Sequence, residues 1–532
     1  MIADSAPGGL RAVRRLADRL LAADLAVLGG LVALAAALRL PGLEARGPFS
    51  YDQGGDMLVL RAFTQDGVIP LLGPKASVGD FHHGAFTFDL LAPAAWLSGS
   101  DPFAVTLEMA LIGIAAVAAV WWLGRVMGGR VVALAAGLLF AVSPAAVDES
   151  IFIWNPNPIP LFAAVSAGAA WRGHRTGRGR WWVLALGSAG VVAQLHFLGL
   201  LFLVPIVGLL LLDLVRAPSG ARGALWRGLA GGLGLIAVLY VPLALHELQS
   251  GFSETQAILA YLGSGSGTAP ALPTRVIVTT LRLVGWPFVG LVTEVPVTAS
   301  IALVLVASLL IWLALRASGP LAEAGRWIGA SLLWFVIALS VVAPTLANVV
   351  PGLPNDHYHA FADPLLVVGA ALAGAALVRA GVAAASRPSA AVVTRVALVG
   401  LLAVAIGVAL SREPGPDPNG GWPTARAAGQ RIVATTGSVP VSVDELPIFE
   451  PGDGIAFPIV AAGGVLAPDP IARYLVVGCD RLFTSIIGQA CGGPAESREL
   501  ERLLGVTAPT AALVDRFDLG VQWSVSVYDL GR

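Results

Sequence analysis

The chain has 532 residues, of which 56% are hydrophobic and only 13% are charged, and its mean hydropathy is +0.78. Because soluble globular chains carry roughly 25% charged residues, this composition excludes a soluble protein. The net charge of −1 at pH 7 provides no basic field to attract nucleic acid, so we expect no nucleic-acid partner.

Long apolar segments recur from residue 24 to residue 411 and then stop. Since about 20 helical residues cross a hydrocarbon core of ~30 Å, this part is predicted to be a polytopic α-helical membrane domain. The short apolar segment 86–98 is predicted to lie in the membrane interface instead. We predict about eleven transmembrane helices, and ten to thirteen would also fit the pattern: 24–40, 103–123, 131–147, 159–171, 181–195, 197–215, 228–245, 297–315, 328–346, 361–378 and 396–411.

The arginines predict the orientation, because Arg and Lys accumulate in short cytoplasmic loops. A cytoplasmic N-terminus places the arginines of every second loop on that side, among them Arg125, Arg178 and Arg316. The alternate loops carry acids instead, such as Asp52 and Glu254. We therefore expect a multi-pass protein of the cytoplasmic (inner) membrane whose C-terminal part is extracytoplasmic.

The composition changes after residue 412. A segment rich in Pro and Gly at 413–423 precedes short β-rich runs that alternate with helix-compatible segments, among them ESRELERLL. This pattern predicts a small α/β domain over 413–532, after a transmembrane domain over 1–412. Its two cysteines, Cys479 and Cys491, are too few for a thiolate metal cluster, and in an oxidising compartment we expect them to form a disulfide, with two buried thiols as the alternative.

The first predicted outer loop contains two carboxylates, Asp52 and Asp56, four residues apart. On a helix this spacing directs both side chains toward the same space, where each raises the pKa of the other. Such a pair suits general-base catalysis or cation binding. The alternative is a solvated acidic loop.

The second outer loop, DESIFIWNPNPIP, places Glu149, Trp154 and Asn155 at the membrane surface. An aromatic side chain beside amides is typical of sugar-binding sites, and these three residues are candidates for binding a sugar or an acceptor. The same composition also occurs in interfacial belts with turn residues.

Cations are scarce on the predicted outer face, and those present need a negative ligand such as a lipid phosphate. Lys75 is the first candidate for that contact and Arg61 the second. The segment NDHYHAFADP adds His357 and His359, whose spacing of two residues fits no zinc motif and favours phosphate or substrate contact over a metal.

These motifs resemble the GT-C fold glycosyltransferases, and in particular glycosyltransferase family 39, which includes protein O-mannosyltransferases and the aminoarabinose transferases of lipid A. Asp52 stands where the family has the catalytic Asp of its Asp-Glu pair, although the Glu is Gln53 here, so a paired acid would have to come from Asp56. His83 begins a step similar to the family's His-Pro-Pro-Leu or Lys-Pro-Pro-Leu, and His357 lies in a segment similar to its late basic-aromatic motif. The resemblance covers roughly residues 24–411.

The resemblance implies an inverting transfer of a hexose or pentose from a polyprenyl-phosphate donor to a glycan, lipid or protein acceptor on the outer face of the membrane. In that reaction Asp52 acts as the base and Lys75, Arg61, His83, His357 and His359 contact the donor. The sequence establishes no cofactor, and it leaves open a requirement for a divalent metal. The alternatives are a transporter or flippase of a glycolipid or small solute, a polymerase using diphosphate-linked glycans, and a scaffold that presents the C-terminal part.

Overall fold

The structure is a computed structural model. It describes residues 6–76, 79–263, 269–290, 292, 294–348, 356–384, 388–446, 452–468, 471–481, 491–492, 494, 497–498, 501–502 and 512–531. Most of the predicted helix in ESRELERLL lies outside these residues, and so does the side chain of His357.

Helices form nearly all of the chain up to residue 410. In chain order they are α1 (Ala6–Arg39), α2 (Leu43–Arg46), α3 (Tyr51–Asp66), α4 (Phe86–Ser98), α5 (Pro102–Gly128), α6 (Arg130–Ala141), α7 (Pro144–Asp148), α8 (Ile159–Thr176), α9 (Gly179–Leu195), α10 (Leu200–Arg216), α11 (Ser219–Leu239), α12 (Val241–Ser250), α13 (Ser253–Gly263), α14 (Leu272–Val289), α15 (Pro296–Arg316), α16 (Gly319–Val342), α17 (Asp363–Ala384) and α18 (Pro388–Leu410). Short 3₁₀ helices lie at Phe197–Gly199, Pro344–Ala347 and Asp356–Ala362.

Among the described residues, seven helices are long and apolar enough to cross a membrane, or eight if the bent pair α11–α12 forms one span. The polytopic helical prediction is confirmed, whereas the number of eleven crossings is a prediction that length and composition alone do not establish. The predicted span 131–147 is broken, because α6 ends at Ala141 and Pro144 begins α7. The sequence prediction missed α14, whose arginines lower its hydropathy.

Small residues let the membrane helices approach closely, which is how helices pack where lipid competes for apolar contact. A side chain at Gly173 would overlap the indole of Trp182, and one at Gly168 would overlap Trp122. The main apolar core lies between these helices and includes Trp182 and Phe335, both fully buried. The helices are therefore fixed relative to one another, and their ends form a defined surface.

The C-terminal part contains α19 (Gly421–Thr436), β1 (Val441–Leu446), α20 (Asp453–Ala461), β2 (Tyr474–Asp480), β3 (Ala512–Leu519) and β4 (Trp523–Asp529). The strand order is β1-β2-β4-β3, with β1 parallel to β2 and the other neighbours antiparallel. The predicted α/β fold of this part is confirmed. Cys479, in β2, forms the predicted disulfide with Cys491.

This C-terminal domain shares an apolar core with the first outer loop. Trp422 of α19 and Phe457 of α20 pack in one cluster with Met57 and Leu60 of α3 and Phe88 of α4. The segment 86–98 forms helix α4, which packs against α3 in this cluster. The domain is thereby held against α3, the helix that carries both candidate catalytic carboxylates.

Candidate active site

One cavity gathers most of the residues that the sequence analysis selected. Its volume is about 850 Å³, including the solvent space at its mouth. Its walls come from α3, the segment 74–83, the second outer loop, the turn after α9, α13 and the segment that follows α16. The polar and aromatic lining residues are Asp52, Asp56, Lys75, Phe81, His83, Trp154, Asn155, His196, Phe197, Tyr261, Thr345 and Tyr358.

Asp52 and Asp56 lie one turn apart on α3, so the predicted helical spacing is confirmed. Burial raises the pKa of Asp52 to about 6, and a hydrogen bond from the side chain of Trp154 opposes that shift. Burial also raises the pKa of Asp56 well above its usual range, with a further contribution from the neighbouring Asp52 charge. Asp56 is only 5% exposed, and its Oδ2 has no hydrogen-bond partner among the described residues. Burial therefore favours the protonated form of both carboxyls, and at Asp56 the charge of Asp52 adds to that effect.

A third carboxylate, Asp453, reaches α3 from the C-terminal domain. A methyl group at Gly54 would overlap the backbone carbonyl of Asp453, and one at Gly55 would touch its carboxylate. The Asp453 charge also raises the pKa of Asp56. Sequence reasoning missed this residue because nearly four hundred positions separate it from Asp56 in the chain. The Gly-Gly pair that follows Gln53 was the one local sign of a close approach.

Gln53, which stands where the resembling family has Glu, has a structural role. Its Oε1 accepts from the backbone N–H of Ser50 at 3.0 Å and completes a capping box at the start of α3. Its Nε2 donates to the carbonyl of Ile153 at 2.9 Å. Gln53 therefore fixes α3 against the second outer loop, next to Trp154, and does not face the cavity.

The second outer loop contributes Trp154 and Asn155 to the cavity wall. Asn155 Nδ2 donates to the carbonyl of Leu195 at 2.6 Å, which ties this loop to the C-terminal end of α9. Glu149, at the end of α7, is buried and does not line the cavity.

Lys75 lies on a short antiparallel bridge with His82. The backbone N–H of Gly73 donates to His83 O, and that of His83 donates to Pro74 O, both at 2.9 Å. Lys75 Nζ is 2.7 Å from Asp80 Oδ1, and the lysine side chain is 60% exposed. An exposed ion pair of this kind is weak, so the ammonium stays available to an anion at the cavity mouth.

Glu254 of α13 holds this bridge in place. Its Oε2 accepts from the backbone N–H of His82 at 2.6 Å, and its Oε1 lies 3.1 Å from His82 Nδ1. Tyr261, two turns further along α13, packs against Phe81 with ring centroids 5.9 Å apart. The sequence analysis assigned Glu254 only to the outer face and did not predict this contact.

His83 and His196 stack at the base of the cavity, with ring centroids 4.6 Å apart. His83 Nδ1 accepts from the backbone N–H of Phe197 at 3.2 Å, and His196 Nδ1 accepts from that of Leu198 at 3.2 Å. Burial lowers the pKa of His83 to about 4. His83 is therefore a neutral ring that can donate from Nε2, and it does not supply the positive charge expected of a phosphate contact.

Two further predicted donor contacts, Arg61 and His359, do not line this cavity. Arg61 follows Asp56 by five positions and projects from another face of α3. His359 is completely buried, and its Nδ1 lies 3.4 Å from Oδ1 of Asp363, which follows it by four residues in the chain. Tyr358, which precedes His359 in the chain, lines the cavity. Among the described residues, no group of three or more His, Cys, Asp or Glu side chains is arranged to hold a metal ion.

Residues 83–241 match the family model described as dolichyl-phosphate-mannose-protein mannosyltransferase. ArnT from Cupriavidus metallidurans, solved with bound undecaprenyl phosphate, is similar over 93% of this chain and 97% of its own, with a TM-score of 0.58 and 15% identity. The oligosaccharyltransferase AglB from Archaeoglobus fulgidus, solved with an inhibitory peptide and a dolichol-phosphate, is similar over 89% of this chain and 72% of its own, with a TM-score of 0.53 and 13% identity. A search of curated proteins found no match.

These comparisons confirm the fold that the resemblance implied. The match to both solved structures extends beyond the membrane helices, since it covers nine tenths of this chain. The chain is a multi-pass membrane protein with the GT-C fold.

Proposed function

We propose that this protein of the GT-C fold is an inverting glycosyltransferase that moves a sugar from a polyprenyl-phosphate donor to an acceptor hydroxyl. The observation that carries the proposal is the pair of buried carboxyls on α3, which face one cavity and whose pKa values are both raised by burial. An inverting transfer needs one ionised carboxylate and no covalent intermediate. The donor class is supported by the match to the mannosyltransferase family model and by the lipid phosphates bound in ArnT and AglB.

In the proposed reaction the acceptor oxygen attacks the anomeric carbon while the bond from that carbon to the phosphate oxygen breaks. Asp52 takes the proton of the acceptor hydroxyl, and polyprenyl phosphate leaves. With a pKa of about 6, Asp52 is ionised at neutral pH yet basic enough to accept a proton in the transition state. The hydrogen bond from Trp154 orients the carboxylate toward the cavity.

Asp56 has a different role in this scheme. Burial and the charges of Asp52 and Asp453 raise its pKa well above the usual range, which favours its protonated form and suits a hydrogen-bond donor rather than a base. A pair of carboxyls whose environments separate their pKa values is a recurrent arrangement in enzymes that need one base and one donor. Asp56 thus takes the place of the acid that Gln53 does not provide.

The donor phosphate is proposed to lie at the cavity mouth near Lys75. The leaving phosphate gains negative charge as the bond breaks, and a cation there stabilises it. The neutral His83 Nε2–H supplies a hydrogen bond in the same region, while Trp154 and Asn155 offer an aromatic face and an amide to a sugar. The acceptor, a glycan, lipid or protein, would enter on the extracytoplasmic side of the inner membrane.

The test is a titration of the full-length protein in nanodiscs with polyprenyl-phosphate sugars and, in parallel, with nucleotide sugars. We expect saturable binding of the lipid donor and release of polyprenyl phosphate when acceptor is present. Lys75→Ala should weaken donor binding roughly ten- to a hundredfold, because a charge-assisted hydrogen bond contributes about 1.5–3 kcal/mol. Lys75→Arg should retain part of the affinity. Tight binding of a nucleotide sugar, with no response to the lipid donor, would contradict the proposal.

A further inference from the structure

A cleft lies at the opposite end of the molecule from the candidate active site. It is formed where the start of α9 meets α11, and it is open to the surroundings. The residues that line it are Arg178, Gly179, Arg180, Val183, Ala224, Arg227 and Gly228. None of them takes part in the proposed glycosyl transfer.

The length of α9 separates this cleft from the active site. Leu195, at the C-terminal end of α9, accepts the hydrogen bond from Asn155 of the cavity wall. The 17 residues of α9 span about 25 Å at 1.5 Å per residue. The cleft therefore lies near the other membrane surface, which the arginine distribution assigns to the cytoplasm.

Two glycines create the cleft. A methyl group at Gly179 would overlap the carbonyl of Ala224, and one at Gly228 would overlap Gly179 and Trp182. The backbones of α9 and α11 therefore approach each other closely here. The side chain of Arg178, the residue before α9, makes no capping hydrogen bond with the start of the helix. The first backbone N–H groups of α9 therefore add positive potential to the cleft.

The charges in the cleft have no acidic counterparts. Elsewhere on the same face, Arg125 and Arg130 share Asp24, and Arg175 pairs with Glu323. No acidic group lies within ion-pair distance of the cleft arginines in the part of the chain that the structure describes. Their positive potential is uncompensated, which favours an anion.

The surroundings of the cleft favour a lipid over a soluble anion. Trp226, on α11 next to Arg227, is 56% exposed, and Leu184 and Leu233 on the adjoining helix faces are 40% and 54% exposed. Apolar side chains exposed at this depth face acyl chains, and exposed tryptophan is typical of the headgroup level. Basic pockets between membrane helices on the cytoplasmic side are suited to the headgroups of anionic lipids.

We propose that this cleft binds the phosphate of an anionic phospholipid from the cytoplasmic leaflet. Arg178 and Arg227 contact the phosphate from the two sides of the groove, and Arg180 adds positive charge beside them. The acyl chains lie along the exposed faces of α9 and α11. The bound lipid stabilises the packing of these two helices, and through Leu195 the position of the second outer loop.

The test uses the purified full-length protein, delipidated in detergent and titrated with phosphatidylglycerol or phosphatidylcholine. Native mass spectrometry measures the bound lipid, and the midpoint of thermal unfolding is measured in parallel. We expect retention of phosphatidylglycerol over phosphatidylcholine, and a loss of about tenfold or more in that retention for Arg178→Gln/Arg227→Gln. Arg178→Lys/Arg227→Lys should retain most of the binding, which separates loss of charge from misfolding.

Arg316→Gln is the matched control, because Arg316 is exposed at the end of α15 and does not line this cleft. It should bind phosphatidylglycerol like the unchanged protein. Equal retention of the two lipids, or unchanged retention by the glutamine double variant, would overturn the proposal. Arginine-dependent stabilisation by inorganic phosphate alone, as large as that by phosphatidylglycerol, would also overturn it and assign the cleft to a soluble anion. None of these readouts depends on glycosyl transfer.

Discussion

The carboxylate of Glu254 lies against His82, accepting from its backbone N–H at 2.6 Å and approaching its ring Nδ1 at 3.1 Å. Glu254 is buried. A second histidine, His246, places its Nε2 3.8 Å from Glu254 Oε1, the oxygen that His82 Nδ1 approaches. This contact joins α13 to the bridge that carries Lys75. The position of the proposed donor-binding cation is thus fixed by a residue that is itself outside the cavity.

Glu254→Gln should loosen the Lys75 segment and weaken donor binding. The change removes the charge from a hydrogen bond that contributes on the order of 1.5–3 kcal/mol. Initial rates should therefore show a KM for the lipid donor raised several-fold, with kcat changed less. Glu108→Gln is the control, since Glu108 likewise accepts from a backbone N–H, that of Ala94 at 3.3 Å, away from the cavity. An unchanged donor KM in the Glu254 variant would show that this contact does not position Lys75.

Asp52→Asn should abolish most of the turnover, because it keeps the shape of the side chain and removes its basicity. A positioned general base contributes about 10²–10⁴ in rate. Donor binding and the thermal midpoint should stay close to those of the unchanged protein. Asp66→Asn, at the exposed end of α3, serves as the control and should transfer sugar normally. Near-normal turnover in the Asp52 variant would move the base to another residue.

The pH dependence of kcat/KM should report the ionisation of Asp52. Since the deprotonated form is the base, the rate should rise with pH through about 6 and then level off. Because its pKa is 3.8 in the unfolded chain and about 6 in the native state, Asp52 binds more protons in the native state between these two pH values. The contribution of Asp52 to the free energy of unfolding therefore falls as the pH rises from 3.8 to about 6. A profile flat from pH 5 to pH 8 would contradict the assignment.

Gly54→Ala should displace the C-terminal domain from α3. The added methyl group would overlap the backbone carbonyl of Asp453, and overpacking of this kind costs about 1–3 kcal/mol. We expect a lower unfolding midpoint together with reduced turnover. Gly234→Ala is the matched helical control, because nothing lies within 4 Å of the methyl group it would add. Equal unfolding midpoints for the two variants would show that the contact between Gly54 and Asp453 accommodates the added methyl group without loss of stability.

Cys479→Ser should destabilise the C-terminal domain by removing its disulfide to Cys491. Closing a loop of this size is worth roughly 3 kcal/mol in the chain-entropy model. The double variant Cys479→Ser/Cys491→Ser should match the single one, and reductant should lower the unfolding midpoint of the unchanged protein to a similar value. A midpoint insensitive to both changes would show that the sheet is stable without the cross-link.

Several features follow from local sequence pattern alone. Hydropathy over about 20 residues identified the membrane part, and the four-residue spacing of Asp52 and Asp56 placed both carboxyls on one face of α3. The two cysteines allowed a single disulfide, and it is present. The GT-C fold that the resemblance implied is confirmed by the similarity to ArnT and AglB.

Only the tertiary structure decided which distant residues share the site. Asp453 and Glu254 carry no local signal that connects them with α3 or with Lys75, since each contact joins segments far apart in the chain. Burial likewise cannot be read from residue type. His83 and His359 were both expected to contact the donor, whereas His83 is a neutral ring in the cavity wall and His359 is enclosed beside Asp363. The physical reason is that desolvation and charge coupling depend on the whole surrounding structure, while periodicity depends only on neighbours along the chain.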